Sequence, residues 1–183
     1  MSALQTQHSA SKEDAAAAGQ RQYLIFSLGG ESFAIDILHI KEIIEFSSLT
    51  EVPLMPGFIR GVINLRGAVV PVIDLCARFG RGQTEVTRRT CIVIVELTDK
   101  GSEERAIHDI GVMVDTVNEV VDIPSSEVEP PPSFGAQMRS DFISGMGKYG
   151  DDFVIMLELD TVLSVDDMSA LSADVVGSAL SPL

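Results

Sequence analysis

Hydrophobic positions along this chain fall in short β-prone runs separated by glycine, proline or charge, and seldom at helical spacing. QYLIFSL and ESFAIDI, on either side of Gly29-Gly30, predict a hairpin around a Gly-Gly turn. ILHIKEIIEF reads two ways: Ile37, Ile40, Ile43 and Ile44 fit helical spacing, whereas the isoleucine content favours a strand. LTEVPLMPGF, with Pro53, Pro56 and Gly57, predicts an irregular linker. IRGVINL and AVVPVIDL follow as two strands, and LCARFG as a short helical turn ended by glycine.

In the second half, TCIVIVEL has the continuous β-branched content of a buried strand, and TDKGSEERAIHD reads as a charged loop. DIGVMVD and TVNEVVDIP are expected to pair with each other, and EVEPPPSF to be a proline-stiffened connection outside any element. FISGMGKYG and DDFVIMLEL predict a last hairpin turning at Gly150-Asp151, with DTVLSVDDM as a short closing helix. Residues 1–19 lack hydrophobic periodicity and predict a disordered tail; 169–183 form a second tail with room for a short amphipathic helix. The intervening 20–168 hold nine or ten short strands without strand–helix alternation. The fold class is therefore all-β. Two small barrels packed together suit so many strands, with a linker between them, better than one barrel does.

Composition narrows the function. The core is aliphatic: 45% of the 183 residues are hydrophobic, only 5% aromatic, and there is no tryptophan. No run approaches the ~18 apolar residues of a membrane span, and the N-terminus lacks the basic start and apolar block of a secretory signal, so the expected compartment is the cytoplasm. With 13 basic and 27 acidic side chains the formal charge is −14, which repels phosphate backbones and anionic lipid and argues against nucleic-acid partners. Such acidity suits a well-solvated monomer when free.

Motifs that would carry chemistry are missing. There is no Gly-rich nucleotide loop, zinc-binding HExxH or nucleophile elbow. Cys76 and Cys91 sit in apolar surroundings without metal-ligand spacing and read as buried free thiols. His8, His39 and His108 have no evident cysteine or serine partner, so a small-barrel catalyst using Cys76 or His39 is the weaker reading. The adjacent carboxylates Glu103-Glu104, Asp151-Asp152 and Asp166-Asp167 read as solvated faces, since neighbours on a strand point to opposite sides. SGMGKYG lacks the following helix that would turn it into a phosphate cradle. No cofactor or metal is expected. A protein of this kind binds other proteins through open edges and grooves.

One block, GVINLRGAVVPVIDL, has a feature of its own. Arg66 is the only charge between Arg60 and Asp74, in a segment otherwise committed to burial. Its guanidinium must reach water or a carboxylate, and Glu42 is the nearest plausible partner by pattern, which predicts an Arg66–Glu42 ion pair beside an apolar groove. Clipping two strands together and facing a partner are both roles open to that pair. Of Ile40, Ile43 and Ile44, two are expected to pack inward and one outward. Gly61 and Gly67 are expected where turns need permissive dihedrals, and Pro71 at an edge or bulge where pairing stops.

QYLIFSLGGESFAIDILHIKEII, PGFIRGVINLRGAVVPVIDL, DIGVMVDTVNEVVDI and ISGMGKYGDDFVIMLEL together resemble CheW, the coupling-protein family of bacterial chemotaxis, from about Gln22 to Leu171. That resemblance implies two five-stranded SH3-like barrels with an apolar seam, and an adaptor without catalytic activity. It also implies partners: the cytoplasmic tip of chemoreceptors in a groove between the barrels, and the regulatory domain of the histidine kinase CheA at opposite ends of the molecule. The implied partner-contact residues are Ile40, Glu42, Gly61, Asn64, Arg66 and Gly67. An adaptor for a different chemosensory array, such as one controlling pilus motility, is the alternative. The sequence departs from the family pattern in a long charged loop from Thr98 to Asp109, and at Cys76, where a polar or basic residue often follows the strand.

Overall fold

Each apolar run becomes a strand, and the strands form two sheets that share one core. The structure, a computed structural model, describes residues 20–98, 103–104, 106–131 and 140–164; the expected tails lie outside them. Strands β1 (Gln20–Leu28), β2 (Glu31–Asp36), β8 (Thr116–Pro124), β9 (Val128–Glu129), β10 (Ile143–Tyr149) and β11 (Asp152–Leu157) make the first sheet, in the order β8-β1-β2-β11-β10-β9. Strands β3 (Ile40–Glu45), β4 (Ile59–Leu65), β5 (Ala68–Asp74), β6 (Cys91–Thr98) and β7 (Ile107–Val114) make the second, in the order β3-β6-β7-β5-β4. Short helices α1 (Leu75–Arg78) and α2 (Leu159–Val162) follow β5 and β11.

Both faces of the central strands are buried, which explains their unbroken apolar sequence. Ile25, Ala34, Ile123, Val154 and Met156 fill the inside of the first sheet, barrel A. Ile63, Val70, Val72, Ile92, Ile94 and Met113 fill the second, barrel B. Alternate residues of the same strands, among them Leu24, Phe26, Leu28, Val93, Val95, Val112 and Val114, point the other way into a larger core between the barrels. Barrel B closes where Thr50 and Val62 exchange backbone hydrogen bonds of 3.0 and 2.8 Å.

The two barrels contain equivalent pieces. Hairpin β4–β5 with α1 and hairpin β10–β11 with α2 share a register shift after Ile59 and Ile143, followed by Gly61 and Gly145. Asp74 and Glu158 each donate their N–H to the carbonyl of an equivalent phenylalanine, Phe58 at 2.7 Å and Phe142 at 2.8 Å. Arg78 lies between those two rings, its guanidinium carbon 5.0 and 4.9 Å from their centroids, and its Nε–H donates to the Val162 carbonyl at 2.9 Å. It links the barrels through their matching corners.

Several expectations need correcting. ILHIKEIIEF, open between two readings, takes the strand one: after a single 3-10 turn, Ile37–His39, capped by Asp36 Oδ1 accepting from Leu38 N–H at 3.0 Å, it is a strand. β7 and β8 do not pair with each other. The chain passes at Asp115 from barrel B to barrel A, where β8 pairs with β1, and the Asp115 N–H donates to Ser27 O at 3.1 Å. The supposed loop from Thr98 to Asp109 is shorter, because Thr98 pairs with Ile107 and Glu96 with Asp109 in the β6–β7 ladder. Within EVEPPPSF, Val128 and Glu129 pair with β10, which gives barrel A a sixth strand where five were implied.

Candidate partner-binding surface

Strands β4 and β5 turn through the two residues Arg66 and Gly67, with φ of 53° and 85°. Two successive positive angles define the primed turn that matches the twist of a tight hairpin, and glycine takes the second place at no steric cost. Arginine at the first place does carry such a cost, about 1 kcal/mol, which is offset by what its neighbours hold in place. Asn64 Oδ1 accepts the Gly67 N–H at 2.8 Å, and Arg66 Nη2 donates to Glu42 Oε2 at 3.0 Å.

Four of the expected residues, Glu42, Asn64, Arg66 and Gly67, thus meet at one end of barrel B. The Arg66 side chain is 72% exposed and that of Glu42 24%, so the pair stands at a rim, with the cation outward. Glu42 Oε1 is buried and has no hydrogen-bond partner among the described residues. The carboxylate is fixed by the arginine through Oε2, while Oε1 is left buried without a donor among the described residues, a cost carried at this rim.

Gly61 serves differently from the turn residue expected. It sits at the β4 bulge, and a Cβ there would lie 2.5 Å from Thr50 O. Its missing side chain lets the Thr50 segment close the barrel. Ile40 is half-buried against the inter-barrel core and Ile44 against the barrel B core, so two of the three isoleucines do pack inward. The outward one is Ile43, not Ile40. A register shift between Ile40 and Glu42 explains this: it puts Ile40 and Ile43 on the same outer side, and the core covers only the first.

Barrel A repeats the arrangement with different chemistry. Glu119 of β8 stands opposite Ile25 as Glu42 of β3 stands opposite Ile94. Its Oε1 accepts from the Tyr149 hydroxyl near the β10–β11 turn. That bond holds the phenol above its ordinary pKa, with burial adding to the shift. The Glu119–Tyr149 contact gave no sequence signal, because its two residues lie on strands far apart in the chain; by register Tyr149 matches Leu65, one residue before Arg66.

A second exposed feature also escaped the sequence reading. Beside β5 and β7 lies a cleft of ≈ 810 Å³ lined by Val69, Pro71, Ile73, Ile107 and Ile110, with Lys41, Glu96 and Asp109 at its edge. Lys41 Nζ donates to Asp109 Oδ2 at 2.9 Å, and this bond raises the lysine pKa. Cys76 is buried and Cys91 partly so, both thiols pushed up chiefly by burial. Among the described residues no group of three or more His, Cys, Asp or Glu side chains is placed to hold a metal, and no helix is long and apolar enough to cross a membrane.

Known proteins align with this chain over nearly all of its described length. The CheW-like domain family matches residues 22–167. The chemotaxis protein CheW of Klebsiella aerogenes is 30% identical over 149 residues, 81% of this chain and 85% of its own. CheW of Bacillus subtilis is 31% identical over 152 residues, 82% of this chain and 92% of its own. Among solved structures, the scaffolding protein TtCheW of Thermoanaerobacter tengcongensis superimposes with a TM-score of 0.69 at 35% identity, over 80% of this chain and 89% of that one.

Proposed function

The chain belongs to the CheW-like domain family and is a chemotaxis coupling adaptor, and from that premise we propose that it joins chemoreceptors to the histidine kinase CheA through non-catalytic contacts. The observation that carries the partner reading is the Arg66–Glu42 rim. An exposed cation is held on a strained, rigid turn, and its carboxylate partner keeps one oxygen buried and unbonded among the described residues. A structural clip needs neither the exposure nor the strain. Asn64 and Gly67 fix the turn, Gly61 fixes the strand behind it, and Ile43 offers a separate apolar contact on the opposite face of β3.

In this reading the receptor's cytoplasmic tip and the regulatory domain of CheA are the partners, and the free protein is a cytoplasmic monomer recruited to membrane-associated arrays. Membership of a different array is not favoured, since the relatives above carry chemotaxis names. Co-sedimentation with a receptor signalling-tip fragment and with the CheA regulatory domain tests the proposal. Binding to at least one at micromolar concentration, weakened by Arg66→Ala in a folded protein, is expected. Failure to bind either one would overturn it.

A further inference from the structure

The cleft beside β5 is an interrupted sheet. Val62 directs both its backbone groups to Thr50, away from β5. Its partner Pro71 is then in a non-hydrogen-bonded pair and faces the β7 side, where a strand residue would offer an N–H and proline has none. The parallel β5–β7 ladder accordingly covers only Val72–Asp74 against Gly111–Met113. Before Pro71 the two strands run on without pairing each other. Val69, two residues earlier, directs its N–H and C=O the same way, beyond the last registered β5–β7 pair.

Side chains around this gap suit a peptide more than water. Val69 and Ile107 form its two lips, 74% and 64% exposed, and Pro71, Ile73 and Ile110 lie deeper. By alternation Val69 lies on the outer face with Pro71 and Ile73, and Ile107 on the inner face with Asp109, so the gap offers exposed apolar surface on both sides of the sheet, which marks a contact surface. Lys41 is engaged by Asp109, which leaves Glu96 as the exposed carboxylate of the edge.

We infer that the β5–β7 cleft takes an extended segment of a partner protein, added as a strand against Val69, with apolar side chains on one face against Val69 and Ile110 and a basic residue on the other face opposite Glu96. A helix satisfies its own backbone and would leave the Val69 groups unmet; an extended chain supplies both partners and the side-chain alternation. This site is separate from the Arg66–Glu42 rim, since neither residue lines the cleft.

The test is an amide-resolved NMR titration of the full chain with a capped peptide of alternating valine and threonine ending in lysine, at up to about 1 mM. Shifts confined to Ala68–Val70 and Ile107–Ile110, with Val69 amide exchange slowed about tenfold, are expected. Val69→Pro removes the donor at an exposed position beyond the last registered β5–β7 pair; it should abolish peptide binding and leave receptor-tip binding unchanged. Val69→Thr should retain both. Glu96→Lys should reverse the preference between the lysine-ended peptide and a glutamate-ended one. No shifts, shifts elsewhere, equal binding by Val69→Pro, or preferential binding of an amphipathic helical peptide would each overturn the inference.

Discussion

Arg60 holds the fully buried carboxylate of Asp74 at 2.9 Å, and Thr84 donates to the same carboxylate from both its N–H and its hydroxyl at 2.7 Å. The aspartate also caps α1, accepting from the Ala77 N–H at 3.4 Å. It therefore ties β4, β5, the helix and the following loop to one point. Because the buried Thr84 donors and the partly buried Arg60 would be left without their acceptor, Asp74→Ala should lower unfolding free energy by about 3–5 kcal/mol. Asp74→Asn, which keeps an acceptor oxygen, should cost less. Chemical denaturation of both variants measures the difference.

Arg66 separates folding from binding. Arg66→Gly relieves about 1 kcal/mol of left-handed backbone strain and loses an exposed ion pair worth no more than that. The variant should melt within a few degrees of the parent, while its affinity for receptor tip or kinase domain falls at least about tenfold. Loss of stability with binding intact would return the pair to a purely structural role.

Gly61 tolerates no side chain. A Cβ at this position would lie 2.5 Å from the nearest backbone oxygen, and φ is 153°. Gly61→Ala should therefore cost about 3 kcal/mol by forcing the Thr50 segment off the sheet. Gly57→Ala, where a Cβ meets nothing within 4 Å, is the control that should be nearly silent in the same thermal melt.

Arg78 couples the barrels by stacking on Phe58 and Phe142 and bonding to Val162. Two cation–π contacts and a charged hydrogen bond predict a loss of about 2–4 kcal/mol for Arg78→Ala. Arg78→Lys should recover only part of it, since a lysine cannot stack its plane on both rings while donating sideways. Thermal and urea denaturation of the two variants read out the difference.

The thiols give a pH signature. Burial raises the pKa of Cys76 in the folded chain above its unfolded value. Its contribution to stability is thus complete below the unfolded pKa of about 8.5 and is lost as pH rises through the folded value. Alkylation of Cys76 near neutral pH should be slow in the native protein and fast in denaturant. Fast native labelling would instead mark a reactive thiol.

Local features were the legible ones. Both hairpins around Gly29-Gly30 and Gly150-Asp151 could be read from the chain because their turns and flanking runs are adjacent in sequence. The Arg66–Glu42 pair could be read because a lone charge in an apolar block must find a partner. What was missed depends on the sheets as wholes. At Asp115 nothing in the sequence distinguishes a strand that turns back from one that crosses to another barrel. Alternation placed Ile40 and Ile44 on one side until the bulge between Ile40 and Glu42 separated them. The β5–β7 cleft follows from where a ladder ends, and Pro71 signalled the interruption without saying which neighbour was lost.

Barrel B is one continuous stretch, Ile40–Val114, whereas barrel A is assembled from strands that precede and follow it. The chain enters B through Ile37–His39 and leaves it through Asp115. A body hung from one thread can swivel; this one has two-point anchorage, a shared core and the Arg78 rivet. Torque applied to either barrel is therefore resisted at both crossings and across the shared core, which is the construction of a stiff spacer and not of a hinge.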